Sequence, residues 1–276
     1  MSIIDAIMMG LIQGLSEFLP ISSSGHLFLY EKLFEVQVEA NAMMLLTVLF
    51  HVGTLVAVVV VFWHDWMDIL KNLFRSKMLL FLFLASLPAL AAKVLFDDLF
   101  ETLNTGSFLA IYFIFTALLL CAIEWISKKQ TNALDKNEDL KLKNVMAMGG
   151  MQALGIFSGV SRSGTTIFGG IASGLPRYMA AKFSFMMSAP AIVGGLLVEG
   201  KAAIEAGAMT YFSANAMPVI VGMVVAGVSG YLTVRYMLKL INKISFYWFA
   251  LYLGIIAVVT LICQFNGVGA MPPFGV

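Results

Sequence analysis

Residues Glu17 to Leu29 read "EFLPISSSGHLFL". A carboxylate, a proline, three consecutive serines, a glycine and a histidine sit here between apolar stretches that otherwise look like membrane helix. Polar, irregular backbone is tolerated at membrane depth only where protein or a water-filled cavity satisfies it. The segment therefore predicts a broken, re-entrant helical hairpin over Ile3 to Tyr30. A second apolar stretch broken by glycines and serines, Asn144 to Leu175, predicts another. Two such breaks imply a buried polar site between them.

The rest of the chain supports a membrane setting. Of its 276 residues, 60% are hydrophobic and only 12% charged, and the mean hydropathy is +0.91, far outside the range of soluble domains. Six segments suffice to cross a hydrocarbon core of roughly 30 Å as helix: Asn41 to Trp63, Met78 to Phe96, Ser107 to Ile126, Tyr178 to Val198, Met217 to Met237 and Phe246 to Phe265. Pro88 and Pro190 are expected to kink theirs. The fold class is an all-α polytopic membrane protein, one integral domain over 1–276 with six full transmembrane helices and two re-entrant hairpins.

Charge placement sets the expected orientation. Lys71, Arg75 and Lys77 follow the first span, and Lys128, Lys129, Lys136, Lys141 and Lys143 follow the third. The positive-inside rule puts both loops in the cytoplasm, with Asp97, Asp98 and Glu101 outside. Both termini and the first hairpin then face outward, and the second hairpin enters from inside. A net charge of +1 says nothing about acidic partners, and no nucleic-acid partner is expected of such a membrane protein. Cys121 and Cys263 lie in apolar runs and read as small core residues rather than a disulfide or metal site. The first residues hold Asp5 and no basic leader, so no cleaved signal peptide is expected.

The two hairpins are copies of one another. "MGLIQGLSEFLPISSSGHLF" from Met9 aligns without gaps on "MGGMQALGIFSGVSRSGTTI" from Met148, an offset of 139 residues with 8 identities in 20 positions. Opposite entry directions make this an inverted-topology repeat, approximately 1–127 and 144–276 around a loop at 128–143, in which sites form at the repeat interface.

The unshared residues divide the chemistry. Glu17, Ser23 and His26 of the first copy face Ile156, Arg162 and Thr165 of the second. An acid, a hydroxyl and an imidazole are parts for nucleophilic or acid–base catalysis. An arginine at bilayer depth costs about 2.5–3.5 kcal/mol and needs a reason. Its surroundings, "SGVSRSGTT" from Ser158, offer hydroxyls, glycines and a helix start, a setting for phosphate or carboxylate; structural pairing with Glu17 or Glu124 is the alternative. Gln13 and Glu17, four apart, share a helix face, and Glu17 could also simply cap the turn. Ser22, Ser23, Ser24, Ser161, Ser163, Gly164 and Thr166 line the two turns as candidate substrate contacts, although serine is common at helix starts in any case. His51, inside the first span, reads as a packing residue, and His64 at the boundary as solvated.

At these residues the sequence resembles the bacitracin-resistance type of undecaprenyl-diphosphate phosphatase. "QGLSEFLPISSSGH" has that family's first motif, with Gln13, Glu17, Ser23 and His26 in place, and "SGVSRSGTT" its second, with Arg162 and Thr166 in place and Ser158 where proline is usual. The resemblance implies a membrane hydrolase of the bacterial inner membrane that removes the terminal phosphate of undecaprenyl diphosphate, a polyprenyl diphosphate lipid, and so serves cell-wall synthesis and bacitracin resistance. It implies Ser23, His26, Glu17 and Arg162 as catalytic residues, with His26 oriented by Glu17 to take the serine proton, or itself the nucleophile. A divalent cation, Mg²⁺ or Ca²⁺, bound with the diphosphate near Glu17 and Gln13, is expected, and the outward side is the expected face of the site. A homodimer is compatible with this reading. The other function class is a transporter or flippase of a phosphorylated lipid or organic anion, since inverted repeats are common there.

Overall fold

The computed structural model describes residues 1–73, 75–130 and 140–275, so Lys136 falls outside the described residues. Among them, six helices are long and apolar enough to cross a membrane: Ala40–Val61, Lys77–Leu95, Leu109–Gln130, Arg177–Glu205, Ala216–Leu240 and Phe246–Asn266, here spans 1 to 6. Each lies on one of the six predicted segments. Pro88 and Pro190 sit inside spans 2 and 4, and span 4 passes through a π-helical segment at Leu196–Gly200 a few residues beyond its proline. Cys121 and Cys263 are free and pack against the main core, and His64 is exposed.

Both broken stretches form helical hairpins. Hairpin 1 is Ile3–Phe18 and Ser23–Leu33, and hairpin 2 is Leu142–Leu154 and Arg162–Ala172. The longest arm has 16 residues. At 1.5 Å per residue it reaches about 24 Å, short of a hydrocarbon core. Local chemistry starts these helices. The Ser2 hydroxyl accepts from the Asp5 N–H at 3.1 Å while the Asp5 carboxylate accepts from the Ser2 N–H at 3.1 Å, a reciprocal capping box. Ser22 and Ser161, equivalent in the two copies, cap the second arms by accepting from the N–H of Gly25 at 3.3 Å and of Gly164 at 3.1 Å.

Packing repeats with the halves exchanged. The first arm of hairpin 1 lies along span 5, and the first arm of hairpin 2 lies along span 2. Each hairpin is thus clasped by a helix from the other half. The glycines that permit this closeness are also copies: a Cβ on Gly10 would collide with the Gly222 carbonyl, and one on Gly149 would stand 2.7 Å from the Ala85 carbonyl oxygen. Lipid tails are as apolar as leucine, so close backbone approach and polar contacts hold such helices together better than hydrophobic burial can. The outward residues fit that solvent: Leu118, Ile255 and Phe265 are exposed. Three spans separate the hairpins, an odd number, so they enter from opposite sides and meet tip to tip.

Candidate active site

The tips interlock through repeat-equivalent serines. Ser163 donates to the Leu19 carbonyl of hairpin 1 at 3.1 Å, and Ser24 accepts from the Gly159 N–H of hairpin 2 at 3.3 Å. Gly25 must be glycine here, because a Cβ would stand 2.7 Å from the Phe113 ring and 3.0 Å from Gly159 Cα. Span 3 holds hairpin 2 from the side, with Thr116 accepting from the Ser161 N–H at 3.1 Å. Ser158 donates its N–H to Asn104 Oδ1 at 2.8 Å. Proline at this position would have no N–H to satisfy, so Asn104 completes the turn that serine leaves open.

Glu17 is the hub of the site. Its side chain is only 4% exposed. Oε2 accepts from Gln13 Nε2 at 2.9 Å and from the Ser23 hydroxyl at 2.7 Å, and lies 3.4 Å from His51 Nε2. Oε1 is paired with the guanidinium of Arg162. Ser23 of the first copy and Arg162 of the second therefore meet on one carboxylate, whose burial is compensated by hydrogen bonds and opposite charge as a buried ion requires. Of the two carboxylates open to Arg162 in the sequence, Glu17 is the partner. Glu124 belongs to a separate cluster, accepting from Arg177 and from the Phe246 N–H, both at 2.9 Å. Gly155 backs Arg162, whose Cα would be 2.8 Å from a Cβ there.

His26 is placed otherwise than expected. Its Nδ1 donates to the Ser22 carbonyl at 2.7 Å and its Nε2 accepts from the Tyr252 hydroxyl at 2.8 Å, with the two rings stacked at 5.6 Å and 9°. Ser22 takes a positive φ of 71°, a strained conformation for serine. Glu17 does not orient His26. It accepts the Ser23 hydroxyl's hydrogen bond instead, and the imidazole beside it is that of His51, 3.4 Å away, so His51 faces the site as well as packing within its span. An ionisable side chain inside a span is the signal that marks His51; nothing local marks Tyr252, which comes from span 6.

The other turn residues serve the scaffold in this state. Ser22 and Ser24 lie 3.4 Å apart across the first tip, and Ser161 and Ser163 lie 3.2 Å apart across the second. Thr166 is fully buried, donating to the Arg162 carbonyl at 2.8 Å with its hydroxyl 2.6 Å from that of Ser184 on span 4. It fastens hairpin 2 to span 4.

For a cation, the available donors are oxygens. Gln13 Oε1 is buried without a partner, beside the Glu17 carboxylate. Among the described residues no three of His, Cys, Asp and Glu cluster as a metal site. This set fits a hard dication that takes most of its ligands from a bound diphosphate or water, and does not make a protein cage.

Comparison with known proteins identifies relatives along nearly the whole chain. Residues 6–259 match the family described as bacitracin resistance protein BacA. The chain is 36% identical to an undecaprenyl-diphosphatase of Carboxydothermus hydrogenoformans, covering 97% of this chain and 99% of that one. It is 35% identical to undecaprenyl-diphosphatase 4 of Bacillus cereus, over 97% of this chain and all of the relative, and 35% identical to an undecaprenyl-diphosphatase of Halothermothrix orenii, over 95% of this chain and 98% of the relative. A family match over residues 6–259 and identity of about 35% along nearly the whole length mean that this chain belongs to the BacA bacitracin-resistance protein family.

Proposed function

We propose that this chain hydrolyses undecaprenyl diphosphate to undecaprenyl phosphate and inorganic phosphate, returning the carrier lipid to cell-wall synthesis. The observation that carries the reading is the Ser23 hydroxyl donating to Glu17 Oε2 at 2.7 Å beside the guanidinium of Arg162. A nucleophile, its base and an anion clamp stand together. A protein that only moved the lipid would need no such hydroxyl.

Arg162 and the N-terminus of its helix receive the diphosphate, the guanidinium matching two phosphate oxygens. Ser23 Oγ attacks the terminal phosphorus in line, its proton passing to Glu17, and the P–O bond to undecaprenyl phosphate breaks with the electron pair leaving on that oxygen. Water then cleaves the phosphoserine. His26, one turn beyond Ser23 on the same helix face, presents Nε2 to accept the proton of that water once Tyr252 gives way. A divalent cation, held by Glu17, Gln13 Oε1 and the diphosphate, would neutralise phosphate charge. The basic loops lie in the cytoplasm and hairpin 1 opens on the outer side of the bacterial inner membrane.

The test is phosphate release from undecaprenyl diphosphate by purified protein in detergent, for wild type and Ser23→Ala. Turnover by wild type that Ser23→Ala lowers at least about a hundredfold is expected for loss of an activated nucleophile. Absence of release from folded wild type overturns the function, and full turnover by Ser23→Ala overturns the nucleophile.

A further inference from the structure

Tyr252 is where span 6 reaches the active site. The register of this span against span 3 is fixed near both ends by buried polar groups. The Gln264 amide donates to the carbonyls of Gly106 and Ser107, each at 3.2 Å, and the Glu124 carboxylate accepts from the Phe246 N–H at 2.9 Å. Both side chains are buried, so breaking either contact would leave a buried polar group unpaired. Between these fasteners Phe113 of span 3 and Tyr252 of span 6 take His26 from two sides. The Phe113 ring meets the imidazole edge-on at 5.4 Å and 62°, while the Tyr252 ring lies nearly parallel to it.

The Ser22 carbonyl can only accept, so Nδ1 of His26 carries the hydrogen and Nε2 presents its lone pair, which the Tyr252 hydroxyl occupies. The lytic water needs that same lone pair. In this structure the base is therefore covered, and the cover stands on the lipid side. Tyr252 is 39% exposed, and Trp248, Ile255 and Val259, within two turns on the same helix face, are exposed with it. From the membrane inward the order is hydrocarbon, phenol, imidazole.

We infer that Tyr252 is a specificity-determining residue, a latch on His26 that the isoprenoid tail of the substrate opens. A diphosphate that carries a tail has its phosphates at Arg162 and its first isoprene units against the lipid-facing flank of span 6, where they push the Tyr252 ring aside and leave Nε2 to water. A diphosphate without a tail leaves the phenol in place. Cleavage of the phosphoserine, with the lipid product still bound, thereby depends on the apolar and unreacting part of the substrate. The inference rests on the proposed phosphatase reaction and names what selects its substrate.

The test compares phosphate release from undecaprenyl diphosphate and from inorganic pyrophosphate by wild type, Tyr252→Phe and Tyr252→Leu in detergent. Tyr252→Phe keeps the stacked ring and gives the oxygen's place to water; Tyr252→Leu removes the ring as well. A neutral hydrogen bond is worth about two- to tenfold in an equilibrium and an aromatic pair about as much again. Relative to turnover of the lipid, turnover of pyrophosphate is expected to rise at least about threefold in Tyr252→Phe and at least about tenfold in Tyr252→Leu. Independently of turnover, diethyl pyrocarbonate, which reacts with an available imidazole lone pair, is applied to substrate-free protein and modification of His26 is followed by mass spectrometry, with the exposed His64 as internal standard. Modification of His26 is expected to be at least about threefold faster in Tyr252→Phe than in wild type. Wild-type selectivity in Tyr252→Phe, a shift of selectivity toward the lipid in either variant, or modification of His26 at the wild-type rate would each overturn the inference. If wild type releases no phosphate from the lipid, the phosphatase reading falls, while the modification rates still decide whether Tyr252 covers His26.

Discussion

Glu17→Gln is the substitution that separates catalysis from scaffolding at this site. The glutamine is nearly isosteric and its amide oxygen can still accept from Ser23, but it cannot take the serine proton. Loss of a general base lowers kcat by about 10²- to 10⁴-fold, which is roughly 2.7–5.4 kcal/mol of barrier. The same change leaves Arg162 without its anion. Breaking a buried pair costs about 3–5 kcal/mol of stability, and the lower end applies because the Arg162 side chain is 17% exposed. Both effects are read on one preparation, as phosphate released per folded molecule and as the melting temperature in detergent, for wild type, Glu17→Gln and Glu17→Asp. Glu17→Asp keeps charge and base on a shorter arm and is expected to fall between the other two in activity while melting close to wild type. A folded Glu17→Gln protein that keeps more than about a tenth of wild-type kcat would refute the assignment, since a tenfold loss is only about 1.4 kcal/mol and too small for a missing base.

Arg162→Lys keeps the charge but loses the planar fork, and is expected to lower kcat/KM at least about a hundredfold, roughly 2.7 kcal/mol, with little change in melting temperature. Near-normal turnover would exclude a bidentate clamp. Asn104→Ala removes the acceptor of the Ser158 N–H and is expected to cost about 1–3 kcal/mol; in a Ser158→Pro background, with no N–H to satisfy, the melting-temperature loss should disappear. Gly25→Ala drives a Cβ into Phe113 where the tips cross, an overpacking cost of about 1–3 kcal/mol, and is expected to lower turnover per folded molecule together with stability; unchanged activity would show that the tips tolerate separation.

Much of this protein is legible in one dimension. Six apolar runs, two polar breaks and a repeat offset of 139 residues are properties of the chain read in order. They specify the spans because membrane helices satisfy their own backbone and are ruled by length and hydropathy more than by partners. The same holds for Ser22 and Ser161, whose capping is a contact across three residues. Gln13, Glu17, Ser23 and Arg162 could be marked in advance because polar groups at membrane depth are costly and stand out against an apolar background.

Tertiary structure decided which of these groups answers which. Ser23 and His26 share a helix face and look equally placed to use Glu17, yet the carboxylate reaches Ser23 and His51 while His26 turns to Ser22 and Tyr252. Arg162 had two acidic residues open to it, and only the crossing of the hairpin tips chose Glu17 over Glu124, which Arg177 holds in its own cluster. Thr166 carries a motif position but its hydroxyl is taken by a backbone carbonyl and by Ser184. These choices depend on distances of a few ångström between groups that lie up to 226 positions apart in the chain. Hydropathy and local propensity act over a turn or a span, whereas a hydrogen bond is made or lost within about half an ångström, and that precision comes only from helices packed against each other through their glycines.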